Sequence, residues 1–151
     1  SVLLVYTLNR EIETTRFPYV ENVFEQIQYG KIKAVTSFYA LHEVYLFAID
    51  HAPDIEIGGN FGKEAIRTIL MTDVYVTPLL TRIERKIHAR LFKKLPDSSD
   101  LPHAISGKIW GCDGIIAYDE HFRSITDILT YIIPEEIFEP GQKEEECRKS
   151  E

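Results

Sequence analysis

The apolar positions along the chain fall into short runs that switch between helical and extended spacing. Over residues 18–29, Val20, Val23, Phe24 and Ile27 recur at helical intervals, which predicts an amphipathic helix ended by Gly30. IKAV, within residues 31–36, reads as a short strand. A second helix is predicted from Ser37 to about Asp50, with Ser37 as its N-cap. Residues 51–62 hold one proline and three glycines and read as a surface loop. A helix over 63–71 and a strand over 74–76 come next. Pro78 introduces a long basic helix over 79–94, and 95–99 is a break. The next helix is predicted over 100–110, with Pro102 in its first turn and Gly111 closing it. GIIA, residues 114–117, reads as a buried strand, residues 119–123 as a turn or short helix, and 128–133 as a last strand closed by Pro134. The opening run SVLLVYT is too short for its periodicity to classify it.

Short strands alternating with helices predict an α/β domain with a mainly parallel sheet. The expected domain covers residues 1–138, and the charged residues 139–151 are expected to be a mobile tail. In such folds, sites gather at the carboxyl ends of the strands.

Composition narrows the class. A chain of 151 residues, 44% hydrophobic and 27% charged, suits one globular domain with its own core. No apolar run reaches the roughly 18 residues of a membrane span, and no signal-peptide pattern opens the chain. The net charge of −7 argues against nucleic-acid binding through bulk charge, yet leaves room for a carboxylate site neutralised by metal. Cys112 and Cys147 read as free thiols of a cytoplasmic protein. The histidines show no zinc-like spacing.

Three acidic residues then draw attention. Glu43 interrupts the apolar helix FYALHEVYLFAI, Asp100 opens a helix, and Asp119 comes directly after the buried strand in GIIAYDEHF. Mg²⁺ and Mn²⁺ prefer hard oxygen ligands, so separated carboxylates brought together by strand-end loops suit a phosphate-cleaving metal site. Each residue also has a structural reading: Glu43 on a wet helix face, Asp100 at a helix terminus favoured by the backbone dipole, Asp119 capping the next turn. Asp113 reads as a strand-entry residue and His103 as a packed or exposed histidine. Arg82, Arg85, Lys86 and Arg90 form a basic stripe that is either a solvated face or a phosphate-facing one.

The segment SDLPHAISGKIWGCDGIIAYDEHF resembles the C-terminal signature of PIN-domain ribonucleases. Asp100 opens the helix, Gly111 closes it, residues 115–117 form the strand, and Asp119 and Phe122 complete a D-x-x-F element. KAVTSFYALHEVYLF resembles the family's upstream strand and its glutamate-bearing helix, matched at Ser37 and Glu43. IIPEEI resembles the end of its last strand. The resemblance implies a three-layer α/β/α domain, hydrolysis of RNA phosphodiesters, and Mg²⁺ or Mn²⁺ held by Glu43, Asp100 and Asp119, with Ser37 as polar support. Many such proteins are VapC-type toxins, which implies a homodimer and an antitoxin partner. Pro102, Ile105, Gly107 and Ala117 depart from the pattern. The family's first aspartate ends its first strand, and SVLLVY matches the residues that come after that aspartate. The aspartate is therefore expected two residues before Ser1. Alternatively, residues 2–6 are themselves the strand, they lead into no aspartate, and the protein is a catalytically silent module binding RNA or a protein. An unrelated α/β binding domain is a third reading.

Overall fold

The computed structural model describes residues 1–137. Its elements run α1 (Val2–Tyr6), α2 (Phe17–Gln28), β1 (Val35–Ser37), α3 (Phe38–His51), α4 (Ile55–Leu70), β2 (Tyr75–Thr77), α5 (Arg82–His88), a 3-10 helix (Ala89–Phe92), α6 (Leu101–Ile109), β3 (Gly114–Ile116), a second 3-10 helix (Glu120–Ile125), β4 (Thr130–Ile132) and α7 (Pro134–Ile137). The chain is a mixed α/β protein. The expected parallel sheet takes the form of two separate parallel pairs, β1 with β2 and β3 with β4. The expected tail lies outside the described residues. No described helix is long and apolar enough to cross a membrane.

β3 explains how the core is arranged. Its alternate side chains point to opposite faces, as extended backbone requires. Ile116 and Tyr118 pack on a cluster built from Val20, Val23, Phe24, Leu41, Val44 and Ile69. Ile115 and Ala117 pack on a second cluster of Phe92, Ala104, Ile105, Phe122, Ile125 and Leu129. A strand covered on both faces reads as an unbroken apolar run, which is what GIIA is.

Three expectations are corrected. The run Val2–Tyr6 is neither left unclassified nor a strand: it is a helix, with Leu3 and Val5 buried. Tyr6 stacks on Phe24 of α2 with ring centroids 3.7 Å apart. An apolar run without a polar face has no readable period, and so short a helix is held by packing rather than propensity.

Residues 51–62 are not a loop throughout. Asp54 caps α4, its Oδ1 accepting the Ile57 N–H at 2.8 Å, and the helix runs through all three glycines. Gly58 and Gly62 are buried against α3: a Cβ on Gly58 would stand 2.7 Å from the Ile49 Cα, and one on Gly62 would stand 2.6 Å from Tyr45 Cδ2. The glycines let two helix backbones approach, so here they mark packing rather than a turn.

The long basic helix is also shorter than expected. α5 starts at Arg82 behind a capping box, in which Thr81 Oγ1 accepts the Glu84 N–H and Glu84 Oε2 accepts the Thr81 N–H. It passes into a 3-10 turn at Ala89 and ends before Lys93. No residue of α5 is buried. Gly30 and Gly111 end their helices as expected, both at positive φ, +71° and +67°.

Candidate functional site

Three structural junctions converge at the carboxyl ends of the strands. Ser37 is the last residue of β1 and the N-cap of α3, with its Oγ accepting the Ala40 N–H at 3.2 Å. Asp100 stands just before α6, and α6 packs against β1. Asp119 lies just past the end of β3 and caps the 3-10 helix by accepting the His121 N–H at 2.9 Å. Asp113, at the entry to β3, accepts the Thr130 N–H through its carbonyl, in keeping with a strand-entry role.

Asp100 is the most informative of these. It is only 9% exposed, and it makes no capping hydrogen bond to its own helix. Its Oδ2 instead accepts from His121 Nδ1 at 3.0 Å, and the same nitrogen lies 3.3 Å from Asp119 Oδ1. One imidazole thus sits against two carboxylates. Burial raises the Asp100 pKa, with Asp119 and Asp97 adding to the rise and the His121 hydrogen bond opposing it. The His121 pKa is raised in turn, chiefly by the hydrogen bond to Asp100. A desolvated carboxylate beside two others calls for a cation, and His121 answers part of that demand.

Asp97 completes the group. Its Oδ1 accepts the Ser99 N–H at 2.8 Å, which folds the residues before α6 into a tight turn. Ligand atoms of Asp97, Asp100 and His121 all lie within 4.8 Å of one another. Two carboxylates and an imidazole suit Mn²⁺, because Mg²⁺ prefers oxygen donors alone. Among the described residues this is the one set of three that meets that spacing.

The structure therefore brings Asp100 and Asp119 together through His121. Glu43 takes a neighbouring place. On α3, its Oε1 lies 2.9 Å from His103 Nε2, while His103 Nδ1 lies 2.7 Å from Ser37 Oγ. His103 is on α6, one turn beyond Asp100. Glu43 is not within the Asp97–Asp100–His121 group.

Ser37, His103 and Glu43 are the residue types of a hydrolytic triad, but the ring is turned the wrong way. A triad needs Nε2 at the serine and Nδ1 at the acid, and here the two are exchanged. Ser37 is also buried and occupied as a helix cap. Its hydroxyl oxygen is taken up in holding the start of α3.

Asp97 and His121 do not stand out in the sequence. Their only signals are D-x-x-D before a proline-started helix and D-x-H after a buried strand, and both patterns are common in turns. His103 does stand out, but its partners lie 60 and 66 positions away in the chain. Compared with protein-family models, curated proteins and solved structures, the chain has no significant match.

Proposed function

We propose that the chain is a metal-dependent nuclease that hydrolyses RNA phosphodiesters, built on a PIN-like three-layer plan. The observation that carries this reading is the buried, uncapped carboxylate of Asp100, set among Asp97, Asp119 and His121 at the carboxyl end of β3. Asp100, with Asp97 and His121 beside it and Asp119 adjoining, would hold Mn²⁺ or Mg²⁺, and Glu43 stands on the neighbouring α3. When bound, such an ion polarises a phosphoryl oxygen and lowers the pKa of a coordinated water. The protein's own part is to fix the carboxylates in place. His121 steadies Asp100 and Asp119, and the burial of Asp100 keeps competing water away from its oxygens. The basic side chains of α5 offer a surface for the RNA backbone. The resemblance to VapC-type toxins extends the proposal to a cytoplasmic toxin that forms a homodimer and is held inactive by an antitoxin.

The test is cleavage of a labelled single-stranded RNA with Mn²⁺, with Mg²⁺ and with chelator. Cleavage that needs the metal and disappears in Asp100→Asn supports the proposal. Metal-dependent cleavage that persists unchanged in Asp100→Asn overturns the assignment.

One observation favours a second reading, a catalytically silent module that binds RNA or a protein. His121 lies within 3.3 Å of both Asp100 and Asp119 and already supplies them with a partner. Calorimetry with Mn²⁺ separates the two: no heat of binding at millimolar metal favours the silent module.

A further inference from the structure

A spacing of four sorts the residues of α5 and its flanks into rows that lie side by side on one helical surface. Leu80, Glu84, His88 and Phe92 form the row turned toward the body of the protein. Phe92 is buried in the second core cluster, Leu80 packs against that cluster, and Glu84 and His88 are half-buried. Leu79, Ile83, Ile87 and Leu91 form the next row, and it faces solvent: Ile83 is 69% exposed and Ile87 63%. Arg82, Lys86, Arg90 and Lys94 form a third row, also exposed. By helix geometry the apolar and basic rows flank the pole of α5 that points away from the core.

Neither outward row is used within the protein. Single exposed apolar residues are ordinary, but a row of them in register is a patch. Isoleucine at an exposed helix position loses propensity against Ala, Lys or Glu and gains no burial. The basic row is equally open. Among the described residues, Arg82, Lys86 and Arg90 make no ion pair, and Lys94 meets Asp127 at 3.4 Å. Residues 82–94 nonetheless hold six Lys and Arg against Glu84 alone, in a chain of net charge −7.

The pairing of rows selects the occupant. RNA phosphates would engage the basic row and leave the apolar row wet. Bases stack on aromatic rings, and Phe92, the one Phe, Tyr or Trp of residues 79–94, is buried. A partner's amphipathic helix docks in a groove, whereas these rows stand on the convex pole of one helix. An anionic bilayer meets both rows. Its headgroups attract the cations, and its acyl boundary receives aliphatic side chains to a depth of about 5–10 Å. Clusters of about four to eight Lys and Arg on an amphipathic helix are what such surfaces recognise.

We propose that residues 79–94 dock the protein on an anionic lipid surface. Ile83 and Ile87 enter the acyl boundary, with Leu79 and Leu91 at the ends of the row, while Arg82, Lys86 and Arg90 hold the headgroup phosphates. Arg85 takes a different part: its guanidinium donates to Tyr39 Oη on α3, which ties the docked helix to the body of the protein. The inference does not depend on the nuclease reading, in which the same cations serve the RNA backbone.

The test is sedimentation of the full chain with vesicles of phosphatidylcholine alone and of equal parts phosphatidylcholine and phosphatidylserine. Direct binding to single-stranded RNA and to a synthetic acidic amphipathic peptide is measured alongside. Two variants separate the rows: Ile83→Ser with Ile87→Ser, and Arg82→Gln with Lys86→Gln and Arg90→Gln. All five side chains are exposed, and circular dichroism checks that the fold is kept. The proposal expects binding to the mixed vesicles only. The serine pair should weaken it by about tenfold or more, through lost apolar burial. The glutamine set should weaken it by about a hundredfold, at about fivefold for each cation. No binding to the mixed vesicles overturns the proposal. So does wild-type vesicle affinity in the serine pair, because charge alone would then hold the protein. RNA binding that needs the basic row, without vesicle binding, gives the surface to RNA instead. Peptide binding that needs both rows, without vesicle binding, gives it to a protein partner and equally overturns the lipid assignment.

Discussion

His121 Nδ1 lies 3.0 Å from Asp100 Oδ2, joining the turn after β3 to the residue that opens α6. The pair spans 21 positions of sequence and sets the pH behaviour of the site. Its main effect on His121 is to raise the pKa. The folded protein therefore holds this proton more tightly than the unfolded chain does. The stabilisation is fully present below the ordinary histidine value of about 6.5 and is lost as pH rises through the raised folded value. NMR titration is expected to place the His121 midpoint above the ordinary value, and Asp100→Asn is expected to bring it back down. A midpoint unaffected by Asp100→Asn would contradict the pairing.

The imidazole should also set metal preference. Nitrogen donors suit Mn²⁺ better than Mg²⁺. His121→Ala is therefore expected to weaken Mn²⁺ binding more than Mg²⁺ binding, which calorimetry with each ion measures. Equal losses for the two ions would place His121 outside the ligand set.

The α3–α4 contact makes a prediction about neighbouring glycines. A Cβ on Gly58 would meet backbone atoms, Ile49 Cα at 2.7 Å and the Ala48 carbonyl oxygen at 2.8 Å, which cannot step aside. Gly58→Ala should cost about 1–3 kcal/mol, as overpacked cores do. At Gly59 the nearest atom is Tyr45 Oη at 3.4 Å, an ordinary contact. Gly59→Ala should be neutral or stabilising by up to about 1 kcal/mol through helix propensity. Urea denaturation of the two variants gives the comparison, and equal effects would refute the packing account.

Thr81 offers a test remote from the site. It starts α5 with a reciprocal capping box to Glu84. Thr81→Ala should lower stability by about 1 kcal/mol, read as a shift in urea midpoint. Metal affinity should be unchanged, since α5 holds none of the proposed ligands. A change in metal affinity would mean that α5 contributes to the site after all.

Much of the element order was legible because local rules decide it. The apolar period of α2, the Ser37 cap, Gly30 and Gly111 at positive φ, and the apolar run of β3 all act within a few residues. The failures have a common cause. Gly58 and Gly62 look like loop residues until α3 is laid against them, and Val2–Tyr6 has no period until Phe24 receives Tyr6. In both places a contact distant in sequence outweighs local propensity.

The candidate site divides in the same way. Sequence alone determined which residue types could serve, placing Glu43 within a helix and Asp100 and Asp119 at helix and strand ends, because ends are marked by caps, glycines and changes of period. Tertiary structure decided what each one does. It buried Asp100 and turned its carboxylate away from its own helix, brought in Asp97 and His121, and gave Glu43 to His103. Those choices depend on the angle between α6 and its neighbours and on which atoms lose water. Residues far apart in the chain settle both together, which no local pattern encodes.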